Sequence, residues 1–379
     1  MVFFISFNIS SFLVFSSVNI RIVGPAPLTF PIYQTSSYAA PEGEKYRYSR
    51  EYNPTVENLG LEIRDLEEAE DYNVFSSGMG AITTTLLALS KPGDRILTHL
   101  DTFARSYHFI RDFLGKWGIQ VDISNPGTEN IIRGIRKDTR IVFIESMTNP
   151  ILRVNDIRAI SEKCREVGAI LIVDSTVPTP YNLKSVKLGA DIVVHSGSKF
   201  ISGHNNVISG LVAGRKDLIE KIDAMRRTMG TSLDPNSAFL TENGMKTLGI
   251  RMEKINSNAM KIARILEDNP GISKIIYPGL PDHPDHEVAG ECMKGYSGLV
   301  CFKIKTDPEK FTANLKKIVP ANTMGGTETI ISIPVTMSHR SLNAHELDIL
   351  GVDSSYMRLS VGIEEPEEII RDITDALNR

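Results

Sequence analysis

The chain has 379 residues, a formal net charge of −4 and three cysteines. That length suits two or three domains with full cores, and the charge leaves no basic footprint for nucleic acid. Cys164, Cys292 and Cys301 are too few and too scattered for a disulfide framework or a zinc site, which points to reduced cysteines in a cytosol. Residues 1–18 (MVFFISFNISSFLVFSSV) are strongly apolar. They lack the basic start of a secretory signal and fall short of the roughly 20 apolar residues of a membrane span. The expectation is an arm on a partner subunit or an unphysiological start, with no membrane role and a cytoplasmic location. The apolar run around Val74-Phe75 leads into Ser77-Gly78-Met79-Gly80, followed by a helix over Ala81–Leu89. Ile141–Ile144 reads as a strand ending at Glu145. Asp156 reads as an N-cap, with Ile157, Ile160, Cys164 and Val167 at helical spacing and Gly168 as the stop. Ile170–Val173 is a second strand, ending at Asp174, and Ile192–Val194 a third, ending at His195 and Ser196. Continuous apolar runs alternating with helices imply a parallel sheet buried on both faces. Ligands of such sheets sit beyond the carboxyl ends of the strands, where Glu145, Asp174 and Ser196 stand. From about residue 236 the helices carry more charge. Residues 364–378 put Ile369, Ile370, Ile373 and Leu377 on one stripe. The expected division is an arm over 1–45, a large domain over 46–235 and a small α/β domain over 236–379.

Three segments carry chemistry. Glycines at a helix start, as in Ser77–Gly80, let backbone N–H groups approach an anion under the helix dipole; the plain alternative is a permissive helix entry. Asp174 at a strand end can bond a pyridine nitrogen and keep it protonated; the plain alternative is a loop carboxylate. In His195-Ser196-Gly197-Ser198-Lys199, two serines can donate to a phosphate and the lysine amine can condense with an aldehyde. The order of the three segments says more than any one of them.

The chain resembles the cystathionine γ-synthase, cystathionine γ-lyase and methionine γ-lyase group of fold-type I pyridoxal-phosphate enzymes. The resemblance runs from about Pro31 to the C-terminus. It rests on PIYQTSSY (31–38), YSREYNPT (48–55), SSGMGA (76–81), ESMTNP (145–150), VDSTVPTP (173–180), GADIVVHSGSKFISGH (189–204), YPGLPDHPDHE (277–287), GGTET (325–329) and RLSVGIE (358–364). It implies an α/β fold of that type: a mostly parallel mixed sheet flanked by helices, plus a smaller C-terminal α/β domain. It implies pyridoxal 5′-phosphate held as a Schiff base on Lys199, which also moves the substrate Cα proton. Asp174 is then the partner of the pyridinium nitrogen, and Asn149 faces the ring hydroxyl. Ser77, Gly78, Met79, Ser196 and Ser198 hold the phosphate. Tyr48 and Arg50 reach the phosphate from a neighbouring subunit, which implies a dimer paired into a tetramer. Arg358 grips the substrate α-carboxylate as a bidentate fork. The implied reaction is loss of Cα and Cβ protons and of a γ-substituent, then addition of a thiol or release of a 2-oxo acid and ammonia.

Departures from the family pattern bear on specificity. Phe103 stands where the family places a tyrosine over the cofactor ring, which removes a phenol acid or base; Tyr107 is a nearby replacement. Arg47 and Arg105 stand where relatives carry other residues, and Asn322 precedes Thr323 in place of a glutamate. With two arginines and no distal acid, an anionic distal group such as a phosphate or succinate ester of homoserine is the expectation. The alternative is that both arginines are solvated or pair with Glu44 and Asp101. His283, His286 and Glu287 lack the spacing of a metal site, and no metal is expected. Trp117 and Met225–Met229 are expected to pack. The leading reading is a γ-replacing transferase acting on an activated homoserine and a thiol. Its rivals are a lyase acting on cystathionine or methionine, an O-acylhomoserine sulfhydrylase, and a cofactor-binding protein with a decayed site. A dinucleotide enzyme fails because no G-x-G-x-x-G follows the first strand.

Overall fold

The computed structural model describes residues 27–337, 340 and 342–379, so the expectation for residues 1–18 falls outside it. Seven strands build the larger sheet: β1 (Asp71–Phe75), β2 (Arg95–His99), β3 (Gln120–Ser124), β4 (Thr139–Glu145), β5 (Ile170–Asp174), β6 (Ile192–Ser196) and β7 (Gly210–Gly214). Their order is β1-β7-β6-β5-β4-β2-β3. Only β7 runs antiparallel to its neighbours, so the sheet is mixed and mostly parallel, as expected.

The apolar runs follow from burial on both faces. Side chains alternate across a strand. Val142 and Ile144 pack in one core with Leu171 and Val173, while Ile141 and Phe143 pack on the other face with Ile170 and Ile172. With helices over both faces, no position on these strands is left for a polar alternation. The connecting helices have the expected caps in part. Asp156 accepts from the Ala159 N–H at 3.1 Å, and Gly168 ends that helix at φ 74°. The helix after β1 starts at Gly78 rather than Ala81, because Ser77 is its N-cap and accepts from the Gly80 N–H at 2.9 Å. A serine cap fixes the helix start more firmly than the glycines loosen it. Trp117 also departs from expectation: it is half exposed, 5.7 Å from the Phe113 ring, and Met229 is exposed too. The segment around Trp117 buries Ile110 and Leu114, one turn apart, which turns Phe113 and Trp117 outward.

The smaller sheet has strands β8 (Ile272–Ile276), β9 (Leu299–Ile304), β10 (Val319–Pro320), β11 (Ile330–Ser332) and β12 (Tyr356–Ser360), ordered β10-β11-β12-β9-β8. One face packs Val300, Phe302, Met357 and Leu359 against the helices Leu248–Glu267 and Pro366–Leu377, the latter through Ile369, Ile373 and Leu377; Ile370 is only partly buried. Alternation sends the other side chains of these strands, Cys301 and Tyr356 among them, into the core of the larger sheet. Arg358 on β12 lies on that side. Among the described residues no helix is long and apolar enough to cross a membrane.

One carboxylate outside the site sets a pH expectation. Burial, then the nearby Glu242, raises Glu62 from 4.5 to about 7. The folded chain therefore binds more protons than the unfolded chain between those values, and stability present at pH 4.5 is lost as pH rises through 7. Glu62→Gln is expected to match wild type near pH 4.5 and to gain roughly 1 kcal/mol by pH 8, a figure discounted for solvent screening. Thermal melts at the two pH values check this.

Candidate active site

Parallel strands bring their carboxyl ends to one edge, and the site begins there. β1 leads into Ser77, β4 ends at Glu145, β5 at Asp174 and β6 at Ser196. The register pairs Glu145 with Asp174 directly. Thr176 ties two of these ends together: its hydroxyl donates to Asp174 Oδ1 at 2.5 Å and accepts from the Ser196 N–H at 2.8 Å. The Thr176 N–H also donates to Asp174 Oδ1, at 3.0 Å. Both bonds favour the charged carboxylate.

Lys199 follows β6 in a tight turn, its N–H donating to Ser196 O at 3.2 Å and its carbonyl accepting from Gly203 N at 2.8 Å. Arg251, buried and far along the chain, secures this turn. It donates to Phe200 O at 2.6 Å, Ile201 O at 2.9 Å and Gly244 O at 2.7 Å. The Lys199 amine donates to Thr323 Oγ1 at 3.0 Å. Burial, then nearby Arg358, pushes that amine below the ordinary lysine value, which favours the neutral, nucleophilic form. Arg358, only 3% exposed, donates to Asn149 Oδ1 at 2.9 Å and to Thr323 O at 2.8 Å. Its Nε is buried without a partner.

Glu145 is the second carboxyl of the site. It accepts from the Phe103 N–H at 2.6 Å, and its own N–H donates to His99 Nε2 at 3.0 Å. Burial, then the adjacent Asp174, raises it well above the usual carboxylate range. Burial raises Asp174 as well, against the two Thr176 bonds. Both carboxyls accept hydrogen bonds that favour the charged form, Glu145 from the Phe103 N–H and Asp174 from Thr176, but the charge of Asp174 adds to burial in raising Glu145, so Glu145 is the member that holds the proton and Asp174 the carboxylate.

Two chambers adjoin. The inner one, about 310 Å³, is lined by Ser77, Gly78, Met79, Phe103, Glu145, Asn149, Asp174, Thr176, Ser196, Ser198 and Lys199, among others. The outer one, about 550 Å³, shares Phe103, Asn149 and Lys199 and adds Arg105, Asn322, Thr323, Arg340 and Arg358. So Lys199, Asp174, Phe103, Ser77, Gly78, Met79, Asn149, Ser196, Ser198, Arg358, Thr323 and Arg105 come together. Tyr48, Arg50 and Arg47 do not line the chambers of their own chain. They sit on an exposed turn whose backbone is held by buried Arg226, which donates to Arg50 O at 3.2 Å and Glu51 O at 2.6 Å. Tyr107 is buried elsewhere and donates to Glu346 at 3.1 Å, so it supplies no phenol to the chamber. Asp101 pairs with His99 at 2.7 Å rather than with Arg105. His286 Nδ1 donates to Pro278 O at 2.8 Å, and among the described residues no cluster of metal-ligating side chains occurs. Sequence reasoning missed Thr176, Arg251 and Arg340. Only Thr176, two residues past Asp174, had a local signal.

The inner chamber fits a phosphorylated pyridine aldehyde. A Cβ on Gly78 would lie 2.8 Å from the Ser196 side chain, so glycine is needed where the β1 turn meets the end of β6. That leaves room where the first-turn N–H groups and the serine hydroxyls could hold a phosphate. Asp174 offers a carboxylate for the ring nitrogen and Lys199 a buried amine for the aldehyde.

The Cys/Met metabolism PLP-dependent enzyme family model matches residues 26–378. A cystathionine gamma-lyase of Bacillus subtilis (strain 168) is 37% identical over 92% of this chain and 94% of its own length. An L-methionine gamma-lyase of Fusobacterium nucleatum subsp. polymorphum is 36% identical over 93% of this chain and 94% of its own. The crystal structure of cystathionine gamma synthase from Xanthomonas oryzae pv. oryzae in complex with cystathionine is similar at TM-score 0.90 and 30% identity, covering 92% of each chain. The chain belongs to the Cys/Met metabolism PLP-dependent enzymes, a family of sulfur amino-acid chemistry whose cofactor is pyridoxal phosphate.

Proposed function

We propose that this enzyme replaces the γ-substituent of an activated homoserine ester with a thiol. The observation that carries the reading is Phe103 on the wall shared by the two chambers, with no tyrosine among the described residues of the same chain lining either one. A thiol leaving group ionises near pH 8.5 and needs a proton donor as it departs, whereas a carboxylate, ionising near 4, leaves without one, and a phosphate ester reacting as its monoanion carries the proton with which it leaves as hydrogen phosphate. Without an acid above the γ-carbon, ester substrates are favoured over thioethers. Bound pyridoxal phosphate supplies the electron sink for a carbanion. The residues do the rest. Arg358 orients the substrate through its α-carboxylate, with its buried Nε as a free donor. Lys199, its basicity lowered by burial, removes the Cα proton and then serves the Cβ proton. Thr323, bonded to the Lys199 amine, holds it in place between transfers. Asp174 keeps its negative charge toward the ring nitrogen. Ser77, Gly78, Met79, Ser196 and Ser198 hold the phosphate, and Asn149 faces the ring hydroxyl.

The rest of the reading concerns assembly. Tyr48 and Arg50 complete the phosphate site of a neighbouring subunit in a dimer, paired into a tetramer. The outward turn braced by Arg226 supports this. Residues 27–45 form part of the arm, and the division at about residue 236 separates the cofactor domain from the small domain. The location is cytoplasmic. Elimination is the second reading, favoured by the lyases among the relatives.

The test is product analysis by mass spectrometry with acetyl, succinyl and phospho esters of homoserine, each with and without cysteine. Cystathionine formed only with cysteine is expected. 2-Oxobutanoate without cystathionine would make elimination the activity. Restoring the acid by Phe103→Tyr is expected to raise cleavage of cystathionine by roughly 10–100-fold relative to wild type, read as 2-oxobutanoate release. No gain would remove the leaving-group argument.

A further inference from the structure

Among the described residues, the outer chamber is lined by three arginines, Arg105, Arg340 and Arg358, together with Lys199, and by no aspartate or glutamate. Each arginine stays charged at any working pH. A chamber of this sign and volume is built for an anion, so the substrate must bring more than its α-carboxylate. Arg358 accounts for that group. It is anchored at both terminal nitrogens by Asn149 and Thr323 and fixed deep in the site. Arg105 and Arg340 are left. Arg105 stands two residues after Phe103, on the helix Ala104–His108, whereas Arg340 comes from the segment after β11. Both are exposed, so two separate parts of the chain each place a guanidinium on the outer chamber.

Resting on the γ-replacement reading, we propose that Arg340, with Arg105, is a specificity-determining clamp for a phosphate on the substrate γ-carbon. A phosphomonoester carries nearly two negative charges at neutral pH and three acceptor oxygens, which two planar guanidinium forks can share. A succinyl end brings one charge, and an acetyl end brings none. The far end of cystathionine brings an ammonium beside a carboxylate, so it offers no net charge to two arginines. In the reaction the Cγ–O bond breaks with its electron pair leaving on the phosphate oxygen. A sulfur–Cγ bond forms, and the thiol proton ends on the released hydrogen phosphate.

The experiment compares kcat/KM for the phospho, succinyl and acetyl esters with cysteine, using the holoenzyme and its Arg105→Ala, Arg340→Ala and Arg340→Lys variants. Calorimetric binding of the phosphonate analogue, in which a methylene replaces the bridging oxygen, runs beside it. Wild type is expected to prefer the phospho ester. Each alanine variant is expected to lower the phospho-to-acetyl ratio by roughly tenfold or more and to weaken phosphonate binding to match. Arg340→Lys should fall between, because it keeps the charge but not the fork. An unchanged ratio in Arg340→Ala, or a wild-type preference for the acetyl ester, overturns the clamp. If no ester yields a thioether, the γ-replacement reading fails by itself. The phosphonate titration then decides the clamp: weaker binding in Arg340→Ala supports it, and unchanged binding overturns it.

Discussion

Lys199→Ala is expected to abolish turnover, with kcat lower by roughly 10⁴-fold or more. Two functions are lost together. In the proposed roles the amine is the covalent anchor for the aldehyde and moves the Cα proton; a positioned base alone contributes about 10²–10⁴-fold. Its surroundings are tuned to it. Burial and Arg358 hold it below the ordinary lysine value, and Thr323 at 3.0 Å fixes its position. The fold should survive, because the turn is held by backbone bonds and by Arg251 rather than by the lysine side chain. The check is a single-turnover assay beside a circular-dichroism melt. Activity within tenfold of wild type in a folded variant would remove Lys199 from the chemistry.

Asp174→Asn is expected to cost roughly 10²–10³-fold in kcat, whereas Glu145→Gln should stay within a few-fold. The two carboxyls are neighbours in register, and their environments separate them. Asp174 receives two hydrogen bonds from Thr176. Glu145, raised by burial and by Asp174, is already neutral, so glutamine copies its working state and still accepts from Phe103. Losing one preorganised electrostatic stabiliser of a developing charge costs about 10²–10³ in kcat. Steady-state kinetics of the two isosteric variants, with the cofactor's visible absorbance band as a second readout, checks the contrast. Equal losses in both would mean that the charge sits on Glu145 or is shared.

The strands around the site were legible because β4, β5 and β6 are buried on both faces, which leaves unbroken apolar runs. The caps at Asp156 and Gly168 were legible because capping is local chemistry. The helix start at Gly78 was not, since a glycine pair reads as a loop until the serine cap is seen. Trp117 misled because aromatic character does not say which side of a short helix faces the core. Lys199, Asp174 and the Ser77 turn stood out through their strand-end context and the family resemblance. The pairing of Glu145 with Asp174 depends on strand register, which no single strand encodes. Arg251 reaches the Lys199 turn across 51 residues, and Arg340 reaches the chamber from the segment after β11. Neither carries a local motif, and an isolated arginine in sequence reads as surface.

Chemistry at the γ-carbon leaves a signature in the product. Both the Cα and Cβ protons of the substrate must come off and be replaced. The most direct measurement is therefore to run the enzyme with the homoserine phosphate ester and cysteine in deuterated water and locate the label in the thioether. Deuterium at both Cα and Cβ of the homoserine-derived half is the expected result. Label at Cα alone would contradict γ-replacement at the Lys199 site.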